Sequence, residues 1–139
     1  MSIEYRGGCH CGNVRALYRT SLRPSEWSVR ACQCTFCRAH GALSTSDPHG
    51  SLALWADDEG LLQLYAFGTS SADFWICRAC GVYVGAVMRA APFAILNARA
   101  VQPIPADLPP PATVRYEGES MAERSARRAQ RWTPLRHTP

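Results

Sequence analysis

At 139 residues the chain is long enough for one compact domain and leaves little room for a second. Its composition, 47% hydrophobic and 19% charged, supports a core and excludes intrinsic disorder. No apolar run approaches the ~18 residues of a membrane helix. The net charge of +4 rests on fifteen basic residues that are all arginine, which excludes a side-chain Schiff base and a lysine-bearing phosphate loop. Residues 1–100 carry nine Arg against seven acids and residues 101–139 six against four, so each part is only +2. A nucleic-acid binder segregates more positive charge than this.

Residues 1–10 contain charges and two glycines and do not read as a secretory signal, which points to a cytoplasmic protein. Residues 14–18 alternate, with Val14, Ala16 and Tyr18 against Arg15, Leu17 and Arg19, the period of a half-buried strand. Further strand-like runs follow at 51–55, 61–67, 73–77, 82–88 and 93–97, punctuated by Gly60, Gly68 and Gly81. Trp27, Trp55 and Trp75 are expected in the core of such a small domain. No long amphipathic helix precedes residue 117, so the pattern predicts a mainly β fold. Five of the ten prolines, Pro103, Pro105, Pro109, Pro110 and Pro111, then form an extended strap. Ser120 and Glu123 frame a capping box that opens a short helix reaching about Trp132. Arg124, Arg127, Arg128 and Arg131 share one face of it, and Met121, Ser125, Ala129 and Trp132 form a thin opposite face. The preferred reading is a solvated arginine face on a helix docked through Trp132; the alternative is an anion or partner surface. These boundaries divide the chain into a core at 1–102 and a strap with an Arg-rich tail at 103–139.

Seven cysteines make up about 5% of the chain, below the roughly 8–10% of a disulfide-built miniature. Their odd number and close clustering favour thiolates on a metal. They fall into Cys9-His10-Cys11, Cys32-Gln33-Cys34-Thr35-Phe36-Cys37 and Cys77-Arg78-Ala79-Cys80. An extended C-x-C places both sulfurs on one face, and a C-x-x-C turn does so by bending, with Gly81 as the small residue after it. Cys9, Cys11, Cys77 and Cys80 together make a four-cysteine structural zinc site. Cys32, Cys34 and Cys37 remain as a three-ligand site with an open position, the mark of catalytic zinc. The pairs could group otherwise, and His40 could close the second site, although C-x-x-H is shorter than the usual histidine spacing. His10 is expected on the face opposite its flanking ligands. His49 sits in a turn, as a plain loop residue or a proton shuttle, and His137 is near the C-terminal end.

The three spaced clusters, Gly8 to Gly12, Cys32 to Cys37 and Cys77 to Gly81, resemble the glutathione-dependent formaldehyde-activating enzyme family, which includes the centromere protein V-like proteins. The resemblance covers about residues 5 to 100 and implies a β-tent fold organised around zinc. It implies structural zinc on Cys9, Cys11, Cys77 and Cys80 and catalytic zinc on Cys32, Cys34 and Cys37, so two Zn2+ ions. The implied activity is a carbon–sulfur lyase reaction, condensing formaldehyde with glutathione as co-substrate to S-hydroxymethylglutathione. Three thiolates leave zinc at a formal charge of −1, better suited to holding an incoming thiol as thiolate than to making hydroxide. Arg38 and Arg78 are the candidates for the carboxylates of glutathione. The expected partners are a small thiol and an aldehyde, with no membrane and no nucleic acid, since the aromatics are not interleaved with a basic run. A free β edge would suffice to pair two chains as a homodimer. The competing function is a non-catalytic zinc scaffold, thiol carrier or protein-interaction module.

Overall fold

The computed structural model describes residues 1–136, so His137 lies outside the described residues. Among the described residues, eleven strands and two α-helices follow in chain order. The first half holds β1 (Ile3–Gly8), β2 (Val14–Thr20), β3 (Val29–Cys32), α1 (Thr35–His40), β4 (Ser44–Thr45) and β5 (Ser51–Ala56). The second holds β6 (Leu62–Tyr65), β7 (Ala72–Cys77), β8 (Tyr83–Met88), β9 (Phe93–Asn97), β10 (Ala112–Val114), α2 (Met121–Arg131) and β11 (Thr133–Arg136). The mainly β class and the short C-terminal helix expected from the sequence are both present. No helix among the described residues is long and apolar enough to cross a membrane.

Antiparallel hairpins join β1 with β2, β6 with β7, β7 with β8, and β8 with β9; the runs expected from the sequence supply all of these strands except β1. The sheet branches at β9. One edge of β9 carries β8, β7 and β6 in succession. The other edge is shared end to end, with Ala94 opposite Thr133 of β11 and Leu96 opposite Thr45 of β4. Beyond β11 come β5, β2 and β1; beyond β4 come β3 and β10. Among the described residues, only β11 beside β5 and β10 beside β3 run parallel. The apolar face of β2 gives Val14, Ala16 and Tyr18 to the core, joined by Leu52, Leu54, Val84 and Leu96. Trp27 plugs the end of this core, its ring edge-on to Tyr5 at 4.9 Å and to Tyr18 at 5.2 Å. Trp55 and Trp75, expected inside, are only half-buried.

The segment after residue 102 is no appendage. β11 completes the sheet between β5 and β9, and Thr133 is fully buried, accepting the Asp47 N–H at 2.9 Å. The Ser46 hydroxyl donates to the Arg131 carbonyl at 2.6 Å, tying the end of α2 to the same loop. The capping box is formed: Ser120 Oγ accepts the Glu123 N–H at 3.1 Å, and Glu123 Oε1 accepts the Ser120 N–H at 2.9 Å. Ser120→Ala removes one of these bonds and should lower stability by about 1 kcal/mol in thermal or urea unfolding.

Candidate functional site

Two hairpin ends meet to build the four-cysteine cluster. Cys9 follows β1, Cys11 sits in the turn into β2, Cys77 ends β7 and Cys80 lies in the turn into β8. Gly12 (φ +86°) and Gly81 (φ +81°) follow the second cysteine of each pair, in the left-handed region that a side chain would strain. The Gly81 N–H returns to the Cys77 carbonyl at 2.8 Å and the Cys9 N–H to Val14 at 2.8 Å, which closes both knuckles. All four sulfurs lie within 4.8 Å of one another. Cys9 Sγ and Cys11 Sγ are 3.7 Å apart, and Cys11 Sγ and Cys77 Sγ 3.6 Å. A tetrahedron with metal–sulfur bonds of about 2.3 Å has edges of about 3.8 Å, so the set fits zinc in size as well as in donor type. Burial opposes ionisation of Cys80, yet backbone N–H groups from Cys11 and Val82 and the Cys77 and Cys9 thiols bring it to about 6. At Cys11 a backbone N–H bond at Asn13 pulls down, but hydrogen bonding with Cys77 and Cys9 pushes the thiol to about 11.

The three-cysteine cluster is built on one bend. Cys32 ends β3, Cys34 caps α1 by accepting the Cys37 N–H at 3.4 Å, and Cys37 is buried in the first turn of the helix. Their sulfurs also lie within 4.8 Å of one another, and no fourth Cys, His, Asp or Glu among the described residues joins them. His40 is exposed, its ring 4.5 Å from Phe36 and 5.8 Å from Tyr83, outside the sulfur group. Hydrogen bonding from Cys37 draws Cys32 down to about 6 against the effect of burial, with Cys34 and the Arg127 charge assisting. The same bond and burial push Cys37 upward. Tyr83 packs against this cluster, and burial followed by the neighbouring sulfurs holds its phenol well above the usual range.

These sulfurs open on a cavity of about 370 Å³. Phe67, Phe74, Tyr83 and Ile95 line it with apolar surface, and Phe36 stacks on Phe67 at 5.3 Å and meets Phe74 edge-on at 4.7 Å. The charged part of its lining is mostly basic: Arg30 from β3 and Arg124, Arg127 and Arg128 from α2, with Glu117 as the acid among them. The preferred orientation of α2 read from the sequence is therefore reversed. Arg124, Arg127 and Arg128 turn inward, while Arg131 stays exposed along with Met121, Ser125 and Ala129; only Trp132 docks as expected. The periodicity located both faces, but the rule that polar faces meet water fails where a helix covers a polar cavity.

Arg127 is held bidentately by Glu119 at 2.8 and 3.0 Å and lies 3.5 Å over the Tyr116 ring. Arg128 lies over Trp132 at 4.7 Å and donates to Ser71 Oγ at 2.8 Å. Burial, then the Arg127 and Arg124 charges, pull Arg128 down to about 10. Burial likewise lowers Arg30, which donates to Ser28 at 3.0 Å and Ser46 at 2.7 Å. Arg38 and Arg78, chosen from the sequence for their nearness to cysteines, are exposed and do not line the cavity. His10 and His49 are exposed as well, and neither lines it. The sequence does carry a sign of Arg30, since Arg30 and Cys32 are two residues apart on one strand and so share a face.

Fold and site together define a mainly β protein with two cysteine clusters able to hold metal, the smaller one beside a small-molecule cavity. Residues 4–117 match the family model described as glutathione-dependent formaldehyde-activating enzyme, and the chain belongs to that family. It is similar to a Rhodobacter sphaeroides protein of known crystal structure at 32% identity and a TM-score of 0.62, over 78% of this chain and 99% of that one. α2 and β11 lie beyond the residues that the family model matches.

Proposed function

We propose that the protein is a zinc enzyme that condenses a small aldehyde, formaldehyde or a close relative, with glutathione or another thiol. The observation that carries this reading is the three-cysteine cluster, which no fourth Cys, His, Asp or Glu joins among the described residues and which faces a cavity. An all-thiolate set of three or four sulfurs suits zinc. Cys9, Cys11, Cys77 and Cys80 would hold a structural ion, and Cys32, Cys34 and Cys37 a catalytic one. Zinc bound by three thiolates supplies a further position at which an incoming thiol is kept deprotonated.

In the net reaction the thiol sulfur bonds to the aldehyde carbon, the carbonyl π bond breaks, and the thiol proton ends on the new hydroxyl. The cavity gathers the two reactants, which makes their encounter effectively unimolecular. Phe67, Phe74 and Ile95 exclude water from the reacting carbon. Tyr83, kept protonated by burial beside the sulfurs, donates a hydrogen bond to the oxygen that gains charge as the C–S bond forms. Tyr83→Phe should lower turnover by about 10²-fold, with metal content and far-UV circular dichroism unchanged.

The decisive experiment combines elemental analysis with exchange NMR of formaldehyde and glutathione. Two zinc ions per chain and adduct formation faster than in buffer are expected. Zinc-loaded protein that leaves the exchange rate at its buffer value would overturn the reading.

A further inference from the structure

Four arginines line the cavity, but they are not equivalent. Glu119 pairs with two of them, meeting Arg127 at 2.8 Å and Arg124 at 3.5 Å, and so locks α2 to the loop before it. Arg30 and Arg128 are each only 8% exposed, and neither has a carboxylate within ion-pair distance among the described residues. Their recorded partners are neutral hydroxyls: Ser28 and Ser46 for Arg30, and Ser71 for Arg128. The Nε of Arg128 is buried with no hydrogen-bond partner at all. A buried charge is ordinarily paired, because removing it from water costs several kcal/mol otherwise. Here two unpaired guanidinium groups from different elements line one cavity that also holds three cysteines, a cost that an anionic ligand would offset.

We propose that Arg30 and Arg128 form a carboxylate receptor that selects an acidic thiol over a neutral one. This rests on the thiol–aldehyde reading above and deepens it by assigning the specificity to named residues. Arg128 comes from α2, outside the stretch matched by the family model, so this half of the receptor belongs to this chain's own C-terminal segment. Guanidinium forks suit carboxylates, since two parallel N–H bonds fix both charge and orientation. The cavity volume of about 370 Å³ is at the lower end for small-molecule sites, which favours one compact, folded thiol held at both ends. Its sulfur would lie at the cysteines and its carboxylates at the arginine wall.

The test is calorimetric titration of the zinc-loaded full chain with glutathione, glutathione diethyl ester and succinate. The ester keeps the thiol and loses both carboxylate charges; succinate keeps the charges and has no thiol. Glutathione should bind about tenfold or more tightly than the ester, and succinate should compete with it. Arg128→Gln and, separately, Arg30→Gln should bring glutathione toward the ester's affinity while leaving the ester unchanged. Arg38→Gln, an exposed arginine outside the cavity, should alter neither. Equal affinity of glutathione and ester overturns the receptor and leaves the thiol reading standing. So does an equal loss from Arg38→Gln and Arg128→Gln. Binding of succinate that is lost in Arg128→Gln, with no binding of either thiol, overturns the selection of an acidic thiol together with the thiol reading and leaves only a carboxylate site. The comparison of glutathione with its ester uses the unaltered chain, so it decides the matter even if a variant fails to fold.

Discussion

Cys77→Ala is expected to leave the protein insoluble or unfolded. Cys77 ends β7, is 1% exposed, and shares a four-sulfur cluster with Cys9 and Cys11 from the far hairpin, so the cluster joins two parts of the fold that are distant in sequence. Structural zinc contributes about 10–16 kcal/mol in small metal modules, against a total stability of about 5–15 kcal/mol for a domain. Losing one ligand of four removes a large part of the larger quantity and leaves Cys80 as the sole link from the β7–β8 hairpin to the cluster. Cys11→Ala should behave alike although Cys11 is exposed, because the loss comes through metal and not through packing. Soluble expression and a thermal melt check both variants. A Cys77→Ala protein that melts like the parent would show that the cluster does not hold the fold.

Cys34→Ala should do the opposite: keep the fold, reduce bound zinc from two ions to one, and bring turnover to the buffer rate. Cys34 is the half-buried N-cap of a six-residue helix, and the structural service of its side chain is to accept the Cys37 N–H. Cys34→Ser keeps an oxygen for that cap and should therefore be as inactive as Cys34→Ala but slightly more stable. Metal analysis, circular dichroism and the exchange assay read the three outcomes separately. Loss of both ions on this substitution would defeat the division into four and three, and full turnover with one ion would remove the cluster from the chemistry.

The cysteines within each group were legible because two-residue and three-residue offsets leave little freedom. Which groups meet was left open by spacing and is given by the fold, which joins Cys9 and Cys11 to Cys77 and Cys80. The strands β2, β5, β7, β8 and β9 were legible for a similar reason, since their side chains alternate or run continuously apolar. β3, β4, β10 and β11 were not. Ser44 and Thr45 are polar, and β11 contains Pro134, so these segments are strands only because a neighbour pairs with them. The position of the arginines was misjudged where sequence distance stood in for spatial distance. Arg38 follows the buried Cys37, but one step along a helix turns a side chain by about 100°, and Arg38 faces solvent. Arg78 sits inside a knuckle whose two cysteines point inward, which leaves the intervening residues outside. The residues that do reach the cavity come from the strand face shared with Cys32 and from a helix some ninety positions later.

The basic wall of the cavity has a chemical consequence that its charge alone does not convey. Four arginines line the space in which an aldehyde would reside, and the chain has no lysine there or anywhere else. A primary amine at Arg128 would be a competing nucleophile, and the protein would label its own pocket. A guanidinium stays protonated and does not compete: even at a value of about 10, only roughly one Arg128 in a thousand lacks its proton at pH 7. The wall attracts anions without offering an electron pair to the electrophile it faces, which keeps the pocket inert to its own reagent and leaves sulfur as the reacting partner.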